Sequence, residues 1–226
     1  MKHMPQADID KLTSGPINTD ALQAMLAEAT IQLEDGMMFA PFAPHPEAFT
    51  LENISTGLSN CCRYGMQIKP FYSVAQHSVL VAALCENDMK VQKFALLHDA
   101  EEGFGLPDIP TPFKPFLKSL IDAQHHMSLM IFKRYGLNPN LKKRVKPQDI
   151  IALAMEKRDL KKNADEYLTE LPTPPNGIFI HSLQPEAAGK LFDAALDRVF
   201  EQGLPITKDW ILAGPGFSTE PMAMAA

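Results

Sequence analysis

The sequence contains no apolar run as long as the about 18 residues that a membrane-spanning helix requires. Its N-terminus also lacks the apolar core of a secretory signal peptide. Binding to a nucleic-acid polymer needs an excess of cations, whereas 21 Lys and Arg face 27 Asp and Glu here, which gives a net charge of −6. We therefore expect a cytoplasmic protein that binds neither a membrane nor a nucleic-acid polymer, although one nucleotide needs only a local cationic pocket.

Cysteine is scarce as well. Cys61, Cys62 and Cys85 form no CxxC pair and no Cys/His zinc pattern, so we expect reduced, mostly buried thiols. The glycine-bearing stretch at 103–110 reads GFGLPDIP, which is not GxGxxG and runs into proline rather than into a helix. This excludes a dinucleotide-binding motif. There is no internal repeat.

Hydrophobic positions recur at helical spacing along most of the chain, and clustered prolines mark the loops. The sequence predicts an all-α bundle in one domain over about 20–213, with a flexible leader at 1–19 and a disordered tail at 214–226. An irregular arm at 31–49 is expected to pack on the core, with a pocket cap and a second-subunit contact as alternatives, and to contain a short extended pair around Ile31–Phe39. The predicted helices span about 20–30, 51–63, 74–87, 89–98, 116–135, 145–160 and 185–203.

Four metal-competent side chains lie within this apolar helical pattern, and they are His77, His98, Asp99 and Asp149. Each has a plain structural explanation by itself: a core histidine, a polar helix end, or an aspartate favoured by the dipole in the first turn of a helix. Together they favour a metal site, because buried polar groups are costly without a partner. Two imidazoles and two carboxylates suit one divalent transition metal, namely Mn, Fe, Co, Ni or Zn.

Acidic residues that follow the His-Asp pair are candidates for proton transfer. Glu102 lies three residues after Asp99, on about the same helical face, and could exchange a proton with water or with a leaving oxygen. Glu101 is expected to point away into solvent. Asp108 has two explanations of equal weight, orientation of a water molecule and an Asx turn ahead of proline.

A phosphate-bearing ligand needs cations, and Arg63 and Lys114 flank the predicted metal site in sequence. Arginine suits bidentate phosphate contact, and a surface charge is the alternative explanation for both residues. The basic run at 142–144 is expected to be a solvated face. No role is predicted for His125 and His126.

These residues resemble the motifs of the HD-domain phosphohydrolase superfamily, which is named for its His…His-Asp…Asp metal ligands. The similarity is greatest to its bacterial 5′-deoxynucleotidase branch, in which an Arg-Trp pair, an AEHS-type helix, HDASE and a GDLPTP stretch follow one another. The similarity covers roughly residues 50–165. The corresponding stretches here are Arg63-Tyr64, VAQHS at 74–78, HDAEE at 98–102, PDIPTPFK at 107–114 and VKPQD at 145–149.

The resemblance implies an HD-type helical bundle that binds its metal through the four ligands named above. It also implies that Arg63 binds phosphate, that Glu102 and Asp108 act in catalysis, and that Tyr64 crowds the sugar 2′ position. This sequence departs from the branch in three ways: Tyr64 replaces Trp, Gln76 replaces Glu before the first ligand, and the loop before Asp108 is one residue longer. The first departure bears on deoxyribose selectivity, and the second on the tuning of the first metal ligand.

We therefore expect a metal-dependent phosphohydrolase of small (deoxy)nucleotides. Action as a 5′-nucleotidase on nucleoside monophosphates is preferred over release of triphosphate from dNTPs, although the motifs do not separate the two. Hydrolysis of cyclic nucleotides or alarmones is a lesser option. An alternative of another class is a catalytically inactive, nucleotide-binding regulatory module, which would require loss of a ligand or of Glu102, and all of these residues are present.

Overall fold

A computed structural model of the chain describes residues 26–85, 88–162 and 170–221. Within these ranges the structure is mainly helical, which confirms the predicted all-α class. None of the described helices combines the length and hydrophobicity that a transmembrane segment needs. The α-helices are α1 Leu51–Asn60, α2 Val74–Leu84, α3 Met89–Leu96, α4 Lys118–Arg134, α5 Lys142–Leu160, α6 Pro185–Leu196 and α7 Lys208–Ala213.

The central helix of the bundle is α2, whose residues 74–83 are all buried. It packs against α1, α3, α5 and α6. A helix that is apolar around its whole circumference is stable only when other elements surround it, and the sequence VAQHSVLVAAL has this character. Any polar side chain on α2 therefore faces the interior of the protein, where it needs a partner.

Side-chain caps set the beginnings of α1 and α2. Thr50 accepts a hydrogen bond from the backbone N–H of Asn53, and Ser73 accepts one from that of Gln76. Helix α1 ends at Asn60, earlier than the predicted end at residue 63. The chain leaves the helix there because its backbone pairs with the residues just before α2, through an antiparallel bridge between Cys62 and Ser73.

Two other helices differ from their predicted bounds in ways that affect the site. Helix α3 ends at Leu96, so the His-Asp pair lies in the turn that follows and not at the end of the helix itself. Helix α5 begins at Lys142, directly after the 3-10 turn Pro139–Leu141, and not near Val145. The explanation of Asp149 as a residue of the first helical turn is therefore wrong, since it lies two turns inside α5.

The arm at 31–49 contains the predicted extended pair, formed by β1 Ile31–Gln32 and β2 Met38–Phe39 in antiparallel register. Its expected core packing holds for Phe39 and Phe49, which are fully buried. Their rings meet edge to face with centroids 5.8 Å apart, and both contact Phe104. Met38 stays 56% exposed, so only part of the arm joins the core.

The prediction of a disordered tail at 214–226 is wrong for the residues that the structure describes. Strand β4 Phe217–Ser218 pairs antiparallel with β3 Phe179–Ile180. Phe217 is buried, and its apolar surface provides the free energy that orders this segment. The leader at 1–19, residues 222–226 of the tail and most of the helix predicted at 20–30 lie outside the described residues, and 26–28 are helical.

Candidate metal and ligand site

The predicted metal ligands come from three separate parts of the bundle. His77 lies in the first turn of α2 and is completely buried. His98 and Asp99 lie in the turn between α3 and the 3-10 turn Ala100–Gly103, and Asp149 projects from α5. Packing of α2 against α3 and α5 brings the three parts together.

The side chains of these four residues converge. Nε2 of His77 lies 3.2 Å from Oδ1 of Asp149 and 4.0 Å from Oδ2 of Asp99. Nε2 of His98 lies 3.2 Å from the same oxygen of Asp99. One ligand atom each of His77, His98 and Asp149 lies within 4.8 Å of the other two, so this group could hold a metal ion.

Contacts on the far side of each imidazole ring direct its Nε2 atom toward this cluster. Nδ1 of His77 lies 2.5 Å from Oε1 of Glu156, and Nδ1 of His98 donates to the carbonyl oxygen of Ala95 at 2.7 Å. The Nε2 atoms of both histidines are buried and make no well-formed hydrogen bond within the described residues. Buried imidazole nitrogens held in this way fit a divalent transition metal, because an oriented Nε2 is the usual metal-binding atom of histidine.

Charges around His77 are unusually concentrated. Burial and Arg63 both act to lower the pKa of His77, but Glu156 and Asp149 outweigh them and raise this pKa to about 9. Burial would raise the pKa of Asp149, yet its contact with His77 holds that pKa well below the usual range. The pocket thus provides negative charge for one cation, and metal binding would compete with protonation of His77.

A cavity of about 440 Å³ opens beside the ligand cluster and is bordered by His98, Asp99 and Asp149. The wall has an apolar part and a cationic part. The apolar part includes Phe94, Ile121, Leu129, Phe132 and Val145. The cationic part consists of Lys114, Lys142 and Lys146, with His125 beside them. A pocket with such a wall suits a ligand that has both an apolar and an anionic portion.

Some of these wall residues had no predicted role in the site. Lys142 is exposed, as expected for a solvated face, but it also borders the cavity. Lys146 lies 2.7 Å from Oδ2 of Asp149 and thereby contacts the ligand cluster. His125 borders the cavity as well.

Two acidic residues of the 3-10 turn Ala100–Gly103 also line the cavity, namely Glu101 and Glu102. Burial, together with the negative charge of Asp99, raises the pKa of Glu101 to about 8 and that of Glu102 well above its usual range. Oε2 of each carboxyl is buried without a hydrogen-bond partner in the described residues. The prediction that Glu101 points into solvent is wrong, because the chain forms a 3-10 turn here and not a continued α-helix.

Arg63 and Tyr64 lie behind the ligand cluster and share one acidic partner. Nε and Nη2 of Arg63 each lie 3.2 Å from Oε2 of Glu156, and the hydroxyl of Tyr64 donates to the same oxygen at 2.8 Å. Arg63 does not border the cavity that Lys114 lines. Glu156 was not predicted as a site residue. It lies seven residues after Asp149, and this spacing, which puts both residues on one face of α5, could have indicated it.

Asp108 makes a contact that neither of its two explanations anticipated. Its Oδ2 accepts a hydrogen bond of 3.2 Å from the backbone N–H of Tyr64. Tyr64 and Met66 both have positive φ angles, 61° and 64°, which side-chain-bearing residues rarely adopt. Asp108 therefore stabilises the strained turn that follows Arg63, and strain of this kind is concentrated at functional sites.

Gln76 precedes the first predicted ligand, and its side chain contacts the C-terminal part of the chain, not the ligand cluster. Its Nε2 donates to the carbonyl oxygens of His181 and Gly216 at 2.9 and 3.1 Å. Its Oε1 accepts a hydrogen bond of 2.9 Å from the backbone N–H of Leu183. The expected effect of Gln76 on the first ligand is thus replaced by a structural role, in which Gln76 connects the two-stranded sheet of β3 and β4 to α2.

Comparison with known proteins adds a relative but no function. No family model matches the chain. A segment of 110 residues is 39% identical to a protein of Escherichia coli (strain K12) called Uncharacterized protein YfdR. This similarity covers 49% of the present chain and 60% of the relative's length. The chain is therefore similar to part of a bacterial protein whose name states no activity.

Proposed function

We propose that this protein is a metal-dependent phosphohydrolase of small (deoxy)nucleotides that belongs to the HD-domain superfamily and acts in the cytoplasm. One observation carries the proposal. The Nε2 atoms of His77 and His98, which make no well-formed hydrogen bond within the described residues, meet the carboxylates of Asp99 and Asp149 at the edge of a cavity that has apolar and cationic walls. A cation at that place would lie next to the anionic portion of a bound ligand.

The four predicted ligands would hold one divalent transition metal, namely Mn, Fe, Co, Ni or Zn. When bound, such an ion lowers the pKa of a coordinated water toward about 7 and polarises a phosphoryl oxygen. Asp99 is the fourth ligand in this proposal because its Oδ2 lies within 4.0 Å of both histidine Nε2 atoms. The remaining coordination positions are left for water and substrate.

Glu102 is the residue that we propose for proton transfer. Its carboxyl borders the cavity, has an oxygen with no hydrogen-bond partner in the described residues, and has a raised pKa. A carboxyl group with a raised pKa can hold a proton near neutral pH and give it to the leaving oxygen of the substrate. Asp108 acts one step away from the chemistry, because its contact with Tyr64 fixes the turn next to Arg63.

Substrate contacts follow from the two parts of the cavity wall. Three lysines of the wall would neutralise phosphate charge, namely Lys114, Lys142 and Lys146. The apolar residues of the wall, which include Phe94 and Phe132, would contact the nucleoside. Arg63 is a further proposed phosphate contact, although in this structure its guanidinium pairs with Glu156 and does not border the cavity. Hydrolysis of (d)NMP is the preferred reaction because the motifs resemble those of the 5′-deoxynucleotidase branch.

The three lysines of the wall favour a second candidate, release of triphosphate from dNTPs, because they supply more positive charge than a monophosphate requires. The decisive experiment incubates the purified protein with Mn²⁺, Co²⁺, Ni²⁺, Zn²⁺ or Fe²⁺ and with panels of nucleoside 5′-mono- and triphosphates. Phosphate, triphosphate and nucleoside are then resolved by ion-exchange chromatography.

We expect phosphate and nucleoside from monophosphates. Release of intact triphosphate would establish the second candidate instead. Tight nucleotide binding without turnover under every metal would identify a catalytically inactive regulatory module. Neither binding nor turnover of any nucleotide would refute the proposed function.

A further inference from the structure

Glu156 occupies a central position for a residue outside the proposed ligand set. Its side chain is completely buried in α5, and its two carboxylate oxygens serve different partners. Oε1 lies 2.5 Å from Nδ1 of His77. Oε2 lies 3.2 Å from two nitrogens of Arg63 and accepts a hydrogen bond of 2.8 Å from the Tyr64 hydroxyl.

We propose that Glu156 is a positioning residue that fixes His77 in its metal-binding orientation and tautomer while it holds Arg63 beside the site. The inference rests on the proposed function, since it assigns a role toward the metal that His77 would bind. A hydrogen bond from Nδ1–H to Glu156 leaves the Nε2 lone pair of His77 directed at the ligand cluster. Carboxylates that contact metal-binding histidines in this way orient the ring and raise its basicity.

A carboxylate is needed here, and a side chain of equal shape would not suffice. Both oxygens of Glu156 accept hydrogen bonds, Oε1 from His77 and Oε2 from Arg63 and Tyr64. A glutamine accepts through only one of its two terminal atoms and donates through the other. If its oxygen faces Arg63, its NH₂ group faces Nδ1 of His77, and the imidazole proton must move to Nε2, which then cannot bind a metal.

The opposite orientation of the glutamine is also unfavourable. With the oxygen toward His77, the NH₂ group faces the guanidinium of Arg63, so two donors meet in a buried place. Arg63 would then lose its acidic partner although its side chain is only 11% exposed. Glu156→Gln therefore tests the positioning role of Glu156 separately from its role in packing, because glutamine fills the same volume.

Co²⁺ is a suitable probe, since its visible absorption reports ligand geometry and its binding can be followed by titration without any substrate. We expect Glu156→Gln to bind Co²⁺ about 10- to 100-fold more weakly than the wild type, which is the usual loss when such a partner is removed. The Co²⁺ spectrum should also change, because the bound imidazole loses its fixed orientation. Unchanged affinity and spectrum in Glu156→Gln would overturn the inference.

Gln92 provides a matched control. It is completely buried in α3 and joins the backbone of Ile206 through two hydrogen bonds of 2.8 Å, away from the ligand cluster. Gln92→Leu should lower thermal stability and leave the Co²⁺ affinity at the wild-type value. An equal loss of Co²⁺ affinity in both variants would show that general destabilisation explains the effect, which would also overturn the inference.

A second variant keeps the test valid if the glutamine form does not fold. Glu156→Asp retains both acceptor oxygens and the charge but has one methylene less, so it cannot span both partners at these distances. We expect its Co²⁺ affinity to lie between those of the wild type and of Glu156→Gln, and wild-type affinity would contradict the inference. Failure of the wild type itself to bind any divalent metal would instead refute the proposed function.

Discussion

Gly57 and Gly103 lie in direct backbone contact, and a methyl group on Gly57 would stand 2.1 Å from the carbonyl oxygen of Gly103. Gly57 belongs to α1, and Gly103 ends the 3-10 turn that carries Glu101 and Glu102. The helix therefore sets the position of the turn, and with it the position of both carboxyls in the cavity. Only the absence of a side chain at Gly57 allows this approach, and a methyl group on Gly103 would also stand close, 3.1 Å from the backbone nitrogen of Leu58.

Gly57→Ala should lower both stability and turnover, because the new methyl group meets backbone atoms that cannot move away without shifting the turn. We expect a loss of about 1–3 kcal/mol in the free energy of unfolding, as for other overpacked sites. Gly189→Ala is the matched control, since its methyl group would stand 3.4 Å from the side chain of Ser59, an ordinary contact. Urea denaturation should show the control to be as stable as the wild type or more so, and equal effects of both changes would contradict the argument.

Asp149→Ala and Asp99→Ala should each remove metal and activity together, because each takes one carboxylate from the ligand cluster. Metal content per chain, measured by mass spectrometry after dialysis, checks this expectation. Lys143→Ala serves as the control on α5, since Lys143 is exposed and does not border the cavity. Full metal retention in the Asp99 variant would remove Asp99 from the ligand set.

Glu102→Gln should keep the metal and lose most of the turnover. General acid–base groups contribute about 10²–10⁴-fold to rate, and the amide cannot exchange the proton. Steady-state kinetics with the preferred nucleotide, together with metal analysis of the same sample, separate this outcome from loss of the ion. Glu52→Gln, an exposed change in the first turn of α1, is the control. A wild-type rate in Glu102→Gln would mean that another residue transfers the proton.

The stability of the metal-free protein should fall as pH rises, in part because of Glu101. Burial and the charge of Asp99 raise the pKa of this carboxyl from its usual 4.5 to about 8. The unfolded chain therefore releases the proton near pH 4.5, whereas the folded protein retains it to about pH 8, so the folded state loses stability across this interval.

Glu101→Gln lacks this titration. In EDTA its melting temperature should match that of the wild type at pH 4 and should exceed it by a margin that grows up to about pH 8. Differential scanning fluorimetry over this pH range measures the margin. A difference that stays constant with pH would show that Glu101 ionises normally in the folded protein.

Local sequence features predicted much of the fold. The apolar periodicity and the proline clusters gave most helix bounds to within a few residues, because these signals act between neighbours in the chain. The short helix α7 was not predicted, and α6 ends at Leu196, before the predicted end at residue 203. The extended pair predicted around Ile31–Phe39 is also present. The errors fall where packing competes with local preference, as at Phe217, whose burial orders a segment with the composition of a tail.

For the site, the sequence indicated which side chains have the chemistry to bind a metal or transfer a proton, and the tertiary structure showed which residues contact them. Ionisable residues in apolar surroundings stand out in a sequence, because such groups are costly to bury without a partner. The residues of this kind here are His77, His98, Asp99, Asp149 and Glu102. Contacts between residues that are far apart in the chain leave no comparable pattern in the sequence. The bond between His77 and Glu156 joins positions 79 residues apart, and that between Arg63 and Glu156 joins positions 93 apart.

The sequence by itself determined that the chain forms a helical bundle and which side chains can bind a metal, since periodicity and side-chain chemistry are properties of the residues. Only the tertiary structure decided that Glu156 supports His77, that Gln76 holds the sheet of β3 and β4, and that close packing at Gly57 positions the turn of Glu102. The physical reason is that hydrogen bonding and close packing depend on distances of a few ångströms, which packing of the helices alone establishes.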